Sequence, residues 1–187
     1  MTSTIRYSNI AIVFHWFMAV LVFAGFAMGL YMVDLRISPD KLKFYSWHKW
    51  IGVTIFILAA FRLWWRMLKA PPTEKVMPAW QRNTAKVTHW LLYLLFFAVP
   101  ISGWLFSSAK GLPTVYLGLV QLPDLIQKNT EMAPLIKQSH LIVSYSLGFL
   151  AVLHVLAVFK HQLIDKDGLI ARMIPGRTRT ADYKVGK

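Results

Sequence analysis

A chain of 187 residues that is 56% hydrophobic, 16% charged and carries twelve Phe and eight Trp has the length of one domain but is too apolar for a water-soluble one. It has no cysteine, which excludes disulfides, thiolate metal sites, iron–sulfur clusters and covalent haem attachment through a Cys pair. The formal charge of +13 invites a nucleic-acid reading, but its placement rejects that: fourteen Lys and Arg with four acids fall with both termini and 62–89, and seven with four fall on the other side. This is the positive-inside asymmetry of a polytopic membrane protein with cytoplasmic termini, and attraction of basic juxtamembrane segments to anionic lipid accounts for the excess.

Apolar runs near 10–32, 50–61, 90–106 and 141–159 predict, with their interfacial flanks, four spans at about 10–33, 46–69, 86–108 and 138–162. The first follows the short polar segment MTSTIRYSN, in which Ser8 or Asn9 serves as N-cap. It is too long for a signal-peptide core and lacks a small-residue cleavage site, so it is read as helix one. His15 lies one to two turns inside its cytoplasmic end beside Trp16, and Gly25 and Gly29 form a small-xxx-small pair suited to close helix contact, or to a cofactor lying against the backbone. Residues 34–45 read as an external loop turning at Pro39–Asp40. Helix two opens at SWHKW with His48 near its external end, and Arg62 stands fourteen residues further on the same face. That arginine either snorkels to lipid phosphates or partners a buried carboxylate such as a haem propionate.

The segment 70–85 is a Pro-rich connector that ends any helix. Helix three brings His89 and Trp90 to the cytoplasmic interface and is expected to kink at Pro100. The loop 109–137 is too apolar for a free linker and is expected to fold back on the membrane surface. Helix four follows, and beyond it KDGLIARMIPGR reads as a short surface helix in a basic tail.

Helix four organises the chemistry. His140 and His154 are fourteen residues apart, so they share a face and stand about 21 Å apart along the axis. Between them Ser144, Gly148 and Ala151 leave room beside the helix, as anchors for two flat cofactors require. A packed helix with two hydrogen-bonded histidines is the plainer alternative, but ionisable residues at membrane depth are functional by default. Sorted by depth, His15 pairs with His154 toward the cytoplasm and His48 with His140 toward the outside. Facing histidines are how a helix bundle holds haem. A bare metal ion wants four or more close ligands, and no carboxylate or thiol is placed to complete such a set around these pairs. Imidazole on both faces of iron leaves no open position, which is electron-transfer chemistry.

These residues also carry a resemblance. Four spans, FHW in helix one, HKWIG opening and FRLWWR closing helix two, THWLLYLLFFAVPISGW in helix three, and H-x13-H-x6-H in helix four resemble the bacterial cytochrome b561 family over essentially the whole chain. KHQLIDKDGLIARM is similar to that family's C-terminal segment. The resemblance implies an all-α four-helix bundle in the bacterial inner membrane with both termini cytoplasmic. It implies two non-covalent haem b groups stacked across the membrane, one held by His15 with His154 and one by His48 with His140. It further implies electron exchange with ubiquinone or another membrane quinone, and in one characterised type the oxidation of superoxide at the outer face. The modest positive charge of that face suits a small anion. Arg62 is expected on a propionate, and His89, Tyr93 and His161 are candidate quinone partners; His89 or His161 could otherwise be a swapped ligand or an interfacial histidine with no task. A rival reading is a haem-bearing membrane subunit that relays electrons for a partner dehydrogenase or periplasmic redox protein, and a third is a haem-free anchor.

Overall fold

Four long helices account for most of the chain in the computed structural model, which describes residues 6–69, 72 and 78–174. Residues 70, 71 and 73–77 of the Pro-rich connector and the tail from 175 onward lie outside these residues. Helix α1 is Asn9–Asp34, α2 Pro39–Leu68, α3 Ala79–Lys110 and α4 Ala133–Lys160. Each is long and apolar enough to cross a membrane. At 26 to 32 residues they measure about 39–48 Å, against a hydrocarbon core of about 30 Å. Large apolar side chains such as Phe17 and Val20 on α1, or Phe149, Val152 and Leu156 on α4, point outward. Helices apolar on their outer faces are stable when lipid, not water, surrounds them.

Capping explains the helix starts. The Ser8 hydroxyl accepts from the Ala11 amide, making Ser8 the N-cap of α1. Helix α2 begins seven residues before the expected SWHKW opening. Ser38 caps it through Lys41 N, Pro39 takes the first turn where its missing N–H costs nothing, and Asp40 adds a favourable first-turn charge. The Pro-Asp pair read as a turn is thus a helix start, and only residues 35–38 separate α1 from α2. Helix α3 likewise starts earlier, at Ala79, and runs continuously through Pro100 to Lys110. Gly111 ends it in the left-handed conformation (φ 69°), its amide returning to the Ser107 and Ser108 carbonyls.

Consecutive helices pack against one another, α1 on α2, α2 on α3 and α3 on α4. Leu92, Leu95 and Leu147 form the buried centre, with Val22, Phe96, Val99, Val143 and Leu150 around them, so α1, α3 and α4 share one core. Because the crossings alternate, the starts of α1 and α3 and the ends of α2 and α4 meet at one end of the bundle, here the terminal end. The other end carries an antiparallel hairpin, β1 (Thr114–Tyr116) and β2 (Val120–Leu122). The expected surface loop is therefore a structured cover. Lys49 Nζ donates to the Leu112 and Pro113 carbonyls, Trp50 Nε1 to Val115 O at 2.7 Å, and Tyr116 shares a hydrogen bond with Thr54.

After α4 the chain makes a π-helical turn, His161–Asp165, and a 3-10 turn, Ile170–Met173. The short surface helix expected in this region is that single 3-10 turn. It docks on the start of α1, where Trp16 Nε1 donates to Met173 O at 2.7 Å and Arg6 to Ile174 O at 3.0 Å.

Candidate functional site

At the hairpin end, α2 and α4 bring His48 and His140 together with ring centroids 6.4 Å apart and planes crossed at 87°. Two imidazoles on opposite faces of one iron, each with a metal–nitrogen bond of about 2 Å and a ring centre about 1 Å behind it, place their centroids about 6 Å apart. The spacing matches. The tautomer of His140 matches as well: its Nδ1–H donates to Val99 O at 3.2 Å, and Ser102 Oγ lies 3.0 Å from the same nitrogen, so Nε2 keeps its lone pair for a metal. His48 Nδ1 is buried without a hydrogen bond of good geometry, and the Gly25 carbonyl is the acceptor facing it.

Two glycines make room for these rings. A Cβ at Gly29 would sit 3.2 Å from His48 Cε1, and one at Gly103 would sit 3.0 Å from His140 Cε1. A Cβ at Gly52, one turn below His48, would meet nothing within 4 Å, so space remains there beside the ring. The Gly25–Gly29 pair is divided in its use: Gly25 packs on Ile51, while Gly29 lies under a histidine. The room expected beside Gly148 is instead filled by the Phe26 ring, which a Cβ there would approach to 3.1 Å.

At the terminal end three histidines converge. His15 and His154 have centroids 6.3 Å apart with planes at 71°, and His89 lies 5.5 Å from His154 at 63°. The first spacing suits opposite faces of one iron; the second is shorter than that arrangement allows. Arg62 Nη2 is 3.2 Å from His15 Nδ1. Arginine only donates, so here His15 accepts at Nδ1 and a neutral ring carries its proton on Nε2. Arg62 and Arg66 both lie over Tyr93, at 5.6 and 5.8 Å, and Arg66 also lies over Trp90 at 5.9 Å. Two guanidinium groups beside an imidazole cluster, with no carboxylate among their contacts within the described residues, make a natural seat for an anionic group. Arg66 was missed in the sequence, although it stands one turn beyond Arg62 on the same face.

His161 lies two turns past His154 and meets neither pair. Its Nδ1 contacts Asp167 Oδ2 at 2.7 Å and Asp165 Oδ2 at 3.1 Å. These carboxylates are brought in by the π turn, which no spacing rule in the sequence announces.

A bundle of four helices long and apolar enough to cross a membrane, with half-buried imidazole pairs at two depths, has the build of a membrane haem protein that carries electrons. Comparison with known proteins gives the same class. The chain belongs to the prokaryotic cytochrome b561 family, whose model matches residues 6–176. It is 34% identical over 184 residues to cytochrome b561 homolog 2 of Escherichia coli (strain K12), with 96% of each chain covered. It is 29% identical over 177 residues to the probable superoxide oxidase CybB of Yersinia pestis, covering 91% of this chain and 96% of that one. Cytochrome b561 homolog 1 of Escherichia coli (strain K12) is 29% identical over 174 residues, with 92% and 98% covered. The family implies b-type haem in a bacterial membrane.

Proposed function

We propose that this protein holds two haem b groups in the bacterial inner membrane and passes electrons from superoxide outside to membrane quinone near the cytoplasmic face. One observation carries the reading: two histidine pairs, at 6.4 and 6.3 Å, lie at opposite ends of one bundle with α4 contributing to both. The name of the Yersinia relative supports superoxide as donor, and the positive-inside count supports cytoplasmic termini.

When bound, each haem supplies an iron that takes up and gives up one electron. His48 and His140 would hold one and His15 and His154 the other, so that two imidazoles would serve each iron and the chemistry supplied would be electron transfer. The Val99 carbonyl and Ser102 fix the His140 ring against rotation. Ligation through His15 Nε2 would need the proton on Nδ1, so Arg62 would have to leave that nitrogen and would then be free to pair with an acidic group of the cofactor. Arg66 stands ready on the same side. In the net reaction two superoxide ions each lose one electron to become dioxygen, and quinone takes two electrons and two protons to become quinol. His89, Tyr93 and His161 are the groups that hydrogen-bond the quinone oxygens and deliver protons at the terminal end.

Purified protein should contain two non-covalent low-spin haems per chain and should form quinol from generated superoxide with no partner protein present. His140→Ala should lose the hairpin-end haem and His154→Ala the terminal-end haem, each sparing the other. A haem content near one would end the paired assignment. Intact haems without quinol formation would transfer the role to that of a relay subunit.

A further inference from the structure

The end of α4 is shaped by a backbone irregularity that serves one side chain. The π turn His161–Asp165 is followed by Lys166 in the left-handed conformation (φ 50°), and the Asp167 amide reaches back to the His161 carbonyl at 3.3 Å. This closure swings Asp167 onto the His161 ring. His161 Nδ1–H donates to Asp167 Oδ2 at 2.7 Å, while Asp167 Oδ1 accepts from Leu169 N at 3.0 Å. Both carboxylate oxygens are therefore engaged, one on the imidazole and one on the backbone. Asp165 lies 3.1 Å from the same ring nitrogen, but Lys160 Nζ is 2.6 Å from its Oδ2. A cation placed among His161, Asp165 and Asp167 would face that ammonium, so the cluster works as a carboxylate–imidazole pair.

We propose that Asp167 is the positioning residue that keeps the His161 proton on Nδ1 and so presents Nε2 for proton transfer to quinone. This rests on the reading that quinone is reduced at the terminal end beside His161. The His161 side chain is 20% exposed, so the ring borders solvent, and in the proposed step Nε2 takes its proton from water. The ring is then cationic, and the Asp167 carboxylate stabilises it. As the quinone gains an electron, Nε2 gives that proton to a quinone oxygen and the ring returns to the neutral tautomer with Nδ1–H still on Asp167. Two such transfers, with two electrons from the haems, make one quinol, and water supplies both protons.

Asp167→Asn is a sharp test because Leu169 N–H selects the amide oxygen. The amide NH2 then faces His161 Nδ1, and because Asp165 Oδ2 is held by Lys160 Nζ, Nδ1 accepts from the amide and the neutral ring carries its proton on Nε2 with no lone pair left there to reload. In the full-length holoprotein, D167N should slow quinone-driven haem reoxidation at least tenfold. Haem content, spectra and superoxide-driven haem reduction should stay as they are. D167E should recover most of the rate, and rates are expressed per haem so that a partly loaded variant is still informative. H161A should slow the same step, and H161A/D167N should be no slower than H161A. A normal rate in D167N beside a slow H161A would overturn the positioning role alone, as would additive effects in the double variant. A normal rate in H161A would overturn both this role and the placement of quinone at His161.

Discussion

Gly103 tests the hairpin-end site more directly than any side chain around it. Alanine there puts a methyl group 3.0 Å from His140 Cε1, so the ring must move by a few tenths of an ångström while the helix gains propensity. Gly103→Ala is expected to fold normally and to lower the occupancy, or shift the potential, of one haem of the two, read by spectral titration. Gly52→Ala meets no protein atom within 4 Å, so a loss of haem in that variant would come from the cofactor plane itself. Unchanged haem content in Gly52→Ala would place the plane on another side of His48. The histidines were legible in the sequence because an ionisable group at membrane depth is rare and because helical spacing fixes its height. Their supports were not. The acceptor for His140 is the backbone carbonyl of Val99, which any residue could supply, and the free space proved to lie at Gly52, because an aromatic ring from α1 fills the notch at Gly148.

The existence and order of the four helices followed from apolar run length, but their ends did not, since hydropathy marks where lipid begins and says little about where a helix stops. Ser38–Pro39–Asp40 shows the difference: the same residues that signal a turn also start a helix, and only the chain beyond them decides. The hairpin was hidden for another reason. Its strands are three residues each, and they are held by α2 side chains more than sixty positions away. Trp50→Phe removes the bond to Val115 O and should loosen the hairpin by about 1 kcal/mol, the usual net worth of one such bond. The measurement is the rate of proteolytic cleavage at Leu117–Leu119 in detergent, expected to rise several-fold with haem content unchanged. Cleavage at the unaltered rate would mean that Lys49 and Tyr116 suffice to hold the hairpin down.

Across the bundle, the alternating crossings put residues 9, 68, 79 and 160 at one end and the hairpin at the other. With the basic residues concentrated at the terminal end, a reporter fused after Lys187 is expected to read cytoplasmic and one inserted at Gly118 to read external. Both on one side of the membrane would remove the four-crossing arrangement and the depth pairing together. The same asymmetry is legible in the sequence, since it depends on counting charges between spans and on no side-chain contact.

One helix carries a ligand candidate of each pair, and that has a cost in permissible change. Adding a single residue between Gly148 and Ala151 would turn one histidine about 100° relative to the other and shift it about 1.5 Å. Either His140 could still face His48 or His154 could still face His15, but one straight rod could not serve both. The stretch from 140 to 154 behaves as a gauge block, fixed in length and in phase. Insertions and deletions that preserve the protein should fall in the hairpin or at the helix junctions, and inside this interval only changes of side chain, never of count, should survive.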